Sequence, residues 1–212
     1  MLSQAVESVL AQEDVKLEVL VVDDASDDDS LEKALRLKRG RPEIRVFETH
    51  ESLTHNINLP ANIAFKRAKY DYVVLSPSDI VHVDKRNFQE YLRLFQRDPE
   101  IYALPHLRDS VSGFETTASL AGSCMLKKHL LQLTGFDERM YGWGAEDNDL
   151  SYRLRMIGVK QVTAEAHVLH LCPKVHREIN PMNDQVHAEN CKRRSWAPNK
   201  EWGEHPKLEE LV

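Results

Sequence analysis

The hydrophobic positions of this chain alternate between two periods. Leu2, Ala5, Val6, Val9 and Leu10 recur at helical spacing and predict an amphipathic helix over 2–12. Residues 17–22 form a short Val-rich run that reads as a buried parallel strand. An acidic loop, 23–29, follows it. Asp29 with Glu32 suits a helix cap, and Leu31, Ala34, Leu35 and Leu37 give that helix an apolar face. Residues 44–47 read as a strand, 58–69 as a helix with Pro60 in its first turn, and 72–75 as another short buried strand. Phe88, Tyr91, Leu92 and Phe95 mark a helix closed by Asp98-Pro99. Residues 101–107 predict a strand, 108–116 a polar loop and 127–133 a helix. Leu150, Leu154 and Ile157 return to helical spacing, and 159–163 and 167–169 read as two short strands. Strand and helix alternate through residue 107, which implies an α/β fold on a parallel, doubly wound sheet. From 172 the pattern dissolves into four prolines, many charges, Trp196 and Trp202. The chain therefore divides into a domain over 1–171 and an irregular tail over 172–212.

The densest chemistry lies in residues 141–153. Gly142 and Gly144 flank Trp143, a poor pattern for helix or strand and a good one for an aromatic ring laid against a ligand. Glu146, Asp147 and Asp149 then fall in the first turn of the amphipathic helix. The positive end of the helix dipole favours their ionised form there. An ionised carboxylate beside an aromatic platform can act as a general base toward a bound hydroxyl. An acid-rich helix start beside a buried Trp accounts for the same spacing.

The run Gly142-Trp143-Gly144-Ala145-Glu146-Asp147-Asn148-Asp149-Leu150 with Arg153, led in by Gly135-Phe136-Asp137-Glu138, resembles the signature of galactosyltransferase-like C-terminal regions. Those regions belong to GT-A glycosyltransferases. Ser8-Val9-Leu10-Ala11-Gln12, followed by the stretch from Glu18 to Asp28, resembles the opening of family 2 glycosyltransferases. Together with the chain between them, the two matches cover about 2–171.

The resemblance implies a GT-A fold: Rossmann-like, with a mostly parallel sheet and flanking helices. The family's first strand, of the type Val-Ser-Val-Ile-Ile-Pro-Thr-Tyr-Asn, has no counterpart here, since the chain starts at the helix that follows it. The edge of 17–22 is then expected to lack a neighbour and to invite dimerisation. The implied reaction moves a sugar from a nucleoside diphosphate, UDP by expectation, to an acceptor hydroxyl on a glycan or other molecule, with inversion. Asp147 would be the base, Glu146 a holder of sugar hydroxyls, and Trp143 with Gly144 a wall for the sugar. Asp24, with Asp23 and Ser26, would hold the nucleotide's base and ribose. Asn62 would orient the donor side. Asp79 matches the second acid of the family's Asp-x-Asp, while Pro77 stands at the first. His170, with His167 and His176 as competitors and His82 close by, would complete a site for Mn²⁺ or Mg²⁺. His167 and His170 cannot share one face of a regular strand. Gly122-Ser123 reads either as a close backbone approach to the acceptor or as a simple bend. The other readings are a degenerate sugar- or partner-binding module and a sugar nucleotidyltransferase. The latter needs an early Gly-rich phosphate loop, and no glycine precedes Gly40.

Composition narrows the picture further. A chain of 212 residues with 42% hydrophobic and 29% charged content can bury a sizeable core. The net charge of −6 gives no support for nucleic-acid binding. Cys124, Cys172 and Cys191 show no CxxC spacing, which argues against a zinc cluster or disulfide framework and fits a reducing, cytoplasmic setting. No apolar run reaches the roughly 18 residues of a membrane span, and the start is neither basic nor apolar enough for a signal peptide.

Overall fold

A computed structural model describes residues 1–55, 57–171, 179–194 and 196–212. The first half follows the hydrophobic pattern closely. It runs α1 (Leu2–Leu10), β1 (Val19–Asp23), α2 (Ser30–Lys38), β2 (Ile44–Glu48), α3 (Asn58–Arg67) and β3 (Tyr72–Val74). Then come β4 (Ile80–His82), α4 (Asn87–Arg97), β5 (Ile101–Asp109), β6 (Glu115–Thr116), β7 (Cys124–Leu126) and α5 (Lys127–Leu133). The chain continues through α6 (Glu146–Met156), β8 (Lys160–His170), α7 (Pro181–Arg193) and β9 (Glu209–Leu211). Among the described residues, no helix is long and apolar enough to cross a membrane.

Four details depart from the pattern. β4, β6 and β7 are two or three residues long, too short to display a period. β8 is one strand rather than two, because its middle buries the small Ala164 and Ala166, which barely register as apolar. The segment expected to be irregular carries α7 and β9. Helix α7 has no apolar stripe to betray it, since the residues it buries are Asn183 and Asn190. Its start is fixed by Asn180, whose side chain accepts from the Met182 N–H, with Pro181 at the first helical position. The expected Asp29 cap does not form either. The Asp29 carboxylate pairs with Lys33 at 2.5 Å, and Asp28 accepts the Ser30 N–H instead.

The strands form two sheets, ordered β1-β2-β9 and β3-β7-β5-β8-β4, with β6 on β5. Among the described strand pairs, only β1–β2 and β5–β8 run parallel. The pairing is therefore mixed rather than mostly parallel. The extra antiparallel strands are the short ones, which need no crossover helix and leave no helix–strand alternation in the sequence. One core packs α3, α5 and α6 on the second sheet through Phe65, Tyr102, Met125, Leu130, Phe136, Leu150 and Leu154. Another places α1 and α2 on β1 and β2 through Val6, Ala34, Ile44 and Val46.

β1 pairs with β2 on one side, and among the described residues no strand pairs its other edge. β3 likewise has only β7 beside it. Residues of both strands, with Leu2, Val6, Phe65 and Tyr91, line one cavity of about 1180 Å³. The sheet is thus interrupted between β1 and β3.

The signature helix is locked by a buried ion pair. Arg153 is fully buried and its Nε donates to Asp149 Oδ2 at 2.7 Å. Its Nη1 donates to the carbonyls of Leu133 at 3.1 Å and Gly135 at 2.8 Å, the end of α5. Asp149 Oδ1 accepts from Asn190 Nδ2 at 2.9 Å and faces His187 Nδ1 at 3.2 Å, which ties in α7. Gly135 sits at φ +64°, and a Cβ there would lie 1.9 Å from the Asn62 side chain. Only glycine fits.

Two outcomes are expected from this architecture. Arg153→Met should cost about 3–5 kcal/mol, because it strands the buried Asp149 carboxylate; chemical denaturation measures it, and a loss under about 1 kcal/mol would show the pair to be dispensable. Appending a strand-forming apolar segment of about ten residues ahead of Met1, long enough for one strand, should raise the melting temperature and slow exchange of the β1 amides. If those amides are already protected in a monomer of the 212-residue chain, the edge is covered in another way.

Candidate functional site

The cavity that separates β1 from β3 continues to the carboxyl ends of the strands. There it gathers Asp23, Asp24, Ser26, Asp79, Trp143, Glu146, Asp147 and His170. Crevices at strand ends are where open α/β sheets bind ligands. The acidic loop, the loop after β3, the start of α6 and the end of β8 are far apart in sequence and share this wall.

Asp147 is the cavity carboxylate that its surroundings alter strongly. Its Oδ2 accepts the Leu120 N–H at 3.1 Å and the Ser119 hydroxyl at 3.3 Å. Burial in the cavity wall pushes its carboxyl up to about 6. Neighbouring Glu146 adds to the rise, and the two donors oppose it. Glu146 Oε2 accepts the Gly144 N–H at 2.6 Å, so one of its oxygens is spent on the turn. Gly144 adopts φ +115°, and a Cβ there would meet Ile179 at 2.8 Å. That turn holds Trp143 at the cavity, and the Trp143 carbonyl accepts the Asn180 N–H at 2.7 Å. The third acid, Asp149, faces the interior and has no place in the cavity.

In the acidic loop the two aspartates do different work. Asp23 ends β1 and is buried, and its Oδ1 accepts the Ser26 N–H at 3.0 Å, shaping the loop. Asp24 accepts from Thr49 Oγ1 at 3.0 Å and from the Ser52 hydroxyl, and so is oriented at the cavity by the loop after β2. Ser26 is exposed at the rim.

Asp79 immediately precedes β4 and is 6% exposed. Its Oδ2 lies 3.2 Å from His170 Nε2, the last residue of β8. His167 is exposed and stacks on His106 at 5.1 Å, outside the cavity lining. His176 lies outside the described residues. His82 is no partner to this pair: it is buried, edge-on to Phe88, and desolvation pushes it down to about 4.

Two expected contributors face elsewhere. Asn62 is fully buried and does not line the cavity. Its Oδ1 accepts the Phe136 N–H at 2.8 Å, and its Nδ2 donates to the Phe136 carbonyl and Glu138. It holds the lead-in to the signature rather than a donor. Gly122-Ser123 is a structural bend: the Gly122 N–H donates to the Leu75 carbonyl, and Leu75 N–H to the Ser123 carbonyl. Ser119, Leu120, Thr49 and Ser52 carry no signal in the sequence pattern. Each acts through a hydroxyl or backbone N–H from a loop with no motif.

Similarity to known proteins agrees with this geometry. A sequence model described as "Glycosyl transferase family 2" matches residues 1–149. Beta-1,4-galactosyltransferase 2 of Cricetulus griseus is 31% identical over 137 residues, 61% of this chain and 36% of its own length. The Mus musculus protein of the same name is 30% identical over 137 residues, with the same coverage. The chain thus spans about a third of the length of these curated relatives. Among solved structures, GalNAc-T7 with UDP, GalNAc and Mn²⁺ superimposes with a TM-score of 0.72 at 14% identity, over 87% of this chain and 44% of that one. S. aureus TarS does so with a TM-score of 0.68 at 16% identity, over 91% and 41%. Likeness at this level shows the fold, which is GT-A.

The state of Asp147 carries a stability consequence. Its folded value, about 6, lies above the ordinary 3.8. Stability tied to the protonated carboxyl is therefore full below 3.8 and lost as pH rises through 6. Asp147→Asn should be more stable than the parent above pH 6 by on the order of 2 kcal/mol, allowing for the side that sees solvent. That gain should vanish toward pH 4. Denaturation curves at both pH values measure it, and a difference independent of pH would refute the burial effect.

Proposed function

The chain belongs to glycosyl transferase family 2, and from that premise we propose that it transfers a sugar from a nucleoside diphosphate, UDP by preference, to an acceptor hydroxyl with inversion. The observation that carries this reading is Asp147: a carboxylate raised to about 6, held by Ser119 and Leu120, in the same cavity as Asp24, Asp79, His170 and Trp143. At neutral pH it is ionised, yet more basic than an ordinary carboxylate, as a general base requires. The acceptor hydroxyl donates to the Asp147 oxygen left free of Leu120. As the acceptor oxygen closes on the anomeric carbon from the opposite face, the bond to phosphate breaks. The hydroxyl proton passes to Asp147, and the diphosphate departs. Trp143 and Glu146 hold the sugar, and Asp24 accepts from the nucleotide's base or ribose.

The residues at the strand ends fit a divalent cation. Asp79 and His170 offer one carboxylate and one imidazole within 3.2 Å of each other, facing the cavity, and this donor set suits Mn²⁺ or Mg²⁺. Among the described residues, no three His, Cys, Asp or Glu side chains converge on one point, so diphosphate and water oxygens would fill the rest of the shell. When bound, such an ion offsets charge on the diphosphate as a Lewis acid. The relatives solved with GDP-Man and Mn²⁺, or with UDP, GalNAc and Mn²⁺, support this choice of donor class and ion.

The test is a screen of nucleotide sugars for hydrolysis and transfer, with and without Mn²⁺. Asp147→Asn should lower turnover by roughly 10²–10⁴. In the parent, kcat/KM should rise with pH through about 6, the value at which Asp147 ionises. Turnover of the variant within about threefold of the parent would remove Asp147 from the role. Binding of UDP without turnover on any donor would favour a binding module.

Asp79→Ala and His170→Ala should each weaken Mn²⁺-dependent UDP binding, with His167→Ala as the unaffected control. Asp24→Ala should weaken UDP binding even without metal. Calorimetry decides both, and unchanged affinities would withdraw the corresponding assignments.

A further inference from the structure

The end of α2 carries charge that the large cavity does not use. The chain as a whole has a net charge of −6. Yet a cleft of about 360 Å³ between α1 and α2 is lined by Lys33, Arg36, Arg39 and Arg41, with Ser3 and Glu7 on the α1 side. It shares no lining residue with the large cavity. The acidic loop precedes α2, whereas Arg36, Arg39 and Arg41 stand at or beyond its last turn, roughly 12 Å along the helix.

Local structure gathers these groups. Ser3 and Glu7 are four residues apart and share one face of α1, while Leu2, Val6 and Val9 line the apolar slot. After α2, Gly40 takes φ +73° and turns the chain. The Arg41 N–H donates to the Lys38 carbonyl at 2.9 Å, and the Ile44 N–H to the Arg41 carbonyl at 3.0 Å. Arg39 and Arg41, on either side of the glycine, both reach the cleft.

The carboxylates nearby leave most of the donors free. Glu7 takes one Arg41 nitrogen at 2.7 Å, and Glu32 takes one Arg36 nitrogen at 2.6 Å. Lys33 pairs with Asp29. Exposed pairs of this kind hold weakly. Among the described residues, the Arg39 side chain has no ion pair or hydrogen bond. A guanidinium carries five N–H donors in a planar fork, so three arginines offer far more donors than two carboxylates consume. The dipole at a helix C-terminus favours a cation there, but it does not account for four cations lining one concave space with a single carboxylate.

We propose that this cleft is an anion site, separate from the large cavity, that takes a phosphate group. Planar forks match phosphate oxygens two at a time, and a concave wall of them desolvates the anion more than a flat face does. Two sources present that chemistry: a soluble phosphate compound and the headgroups of an anionic lipid surface. Arg41 leads into the amino end of β2, so whatever sits here leaves the opposite, carboxyl ends of the strands open to their own ligand.

The experiment uses the whole 212-residue chain in metal-free buffer. Inorganic pyrophosphate is titrated while backbone amide shifts are followed by NMR, and vesicle flotation compares phosphatidylglycerol with phosphatidylcholine. The amides of Ser3, Glu7 and residues 39–41 should shift and saturate, and the affinity should fall with added salt. Arg39→Gln and Arg41→Gln should each weaken binding by about tenfold or more, with melting temperature unchanged. Glu7→Gln removes the competing carboxylate and should tighten binding by about two- to fivefold. Lys85→Gln, a cation elsewhere, should change nothing. Pyrophosphate binding without flotation assigns the site to soluble phosphates. Flotation on phosphatidylglycerol alone, lost in the Arg39→Gln/Arg41→Gln double variant, assigns it to lipid headgroups. A parent that neither saturates with pyrophosphate nor floats would overturn the proposal, as would binding that the double variant leaves intact.

Discussion

The pair formed by Asp149 and Arg153 is the constraint on which the active end of this fold depends. Both side chains are buried, and removing two charges from water is costly. The cost is offset in part: Arg153 Nη1 donates to two carbonyls at the end of α5, and Asp149 meets Asn190 and His187 on α7, while Arg153 Nη2 has no hydrogen-bond partner. One contact set therefore fixes the start of α6 against three other segments. Residues two apart on a helix point about 200° from each other. With Asp149 pinned to the interior, Asp147 faces the cavity.

That arrangement has a built-in opposition. In the proposed reaction Asp147 is useful because it is poorly hydrated and basic, and poorly hydrated anions destabilise the fold that holds them. Two donors from the loop before β7 keep the penalty moderate without cancelling it. The Arg153 network supplies the rigidity that holds the strained group in place.

The rest of the site follows from where strands end. β1 delivers Asp23 and Asp24, the segment between β3 and β4 delivers Asp79, β5 ends at Asp109 and β8 at His170. Parallel pairing of β5 with β8 and antiparallel pairing of β8 with β4 put the last three in one row. The interruption between β1 and β3 opens into the same cavity, so the apolar slot and the polar site form one continuous wall.

What the sequence determined by itself is what depends on near neighbours. The helices with an apolar stripe, the Val-rich strand before the acidic loop and the acid cluster at the start of α6 are local patterns, and the two motifs were enough to indicate the family. Strand parity alone also excluded a shared face for His167 and His170. The tertiary structure decided everything that depends on the direction a side chain takes. Asn62 looked like a cleft residue, but α3 turns it toward the lead-in loop, where Gly135 leaves room for it. That His170 and not His167 lines the cavity needed the strand register, including the bulge opposite 104–106. Helix α7 was invisible because its inward residues are asparagines, which are favourable there only once Asp137 and Asp149 are in place to accept from Asn190. Ser119 carries no motif, since a hydroxyl becomes a positioning group only through the residue that folding sets against it. Spacing records periodicity along the chain. The partners of a buried polar group come from elsewhere in the chain, and only packing selects them.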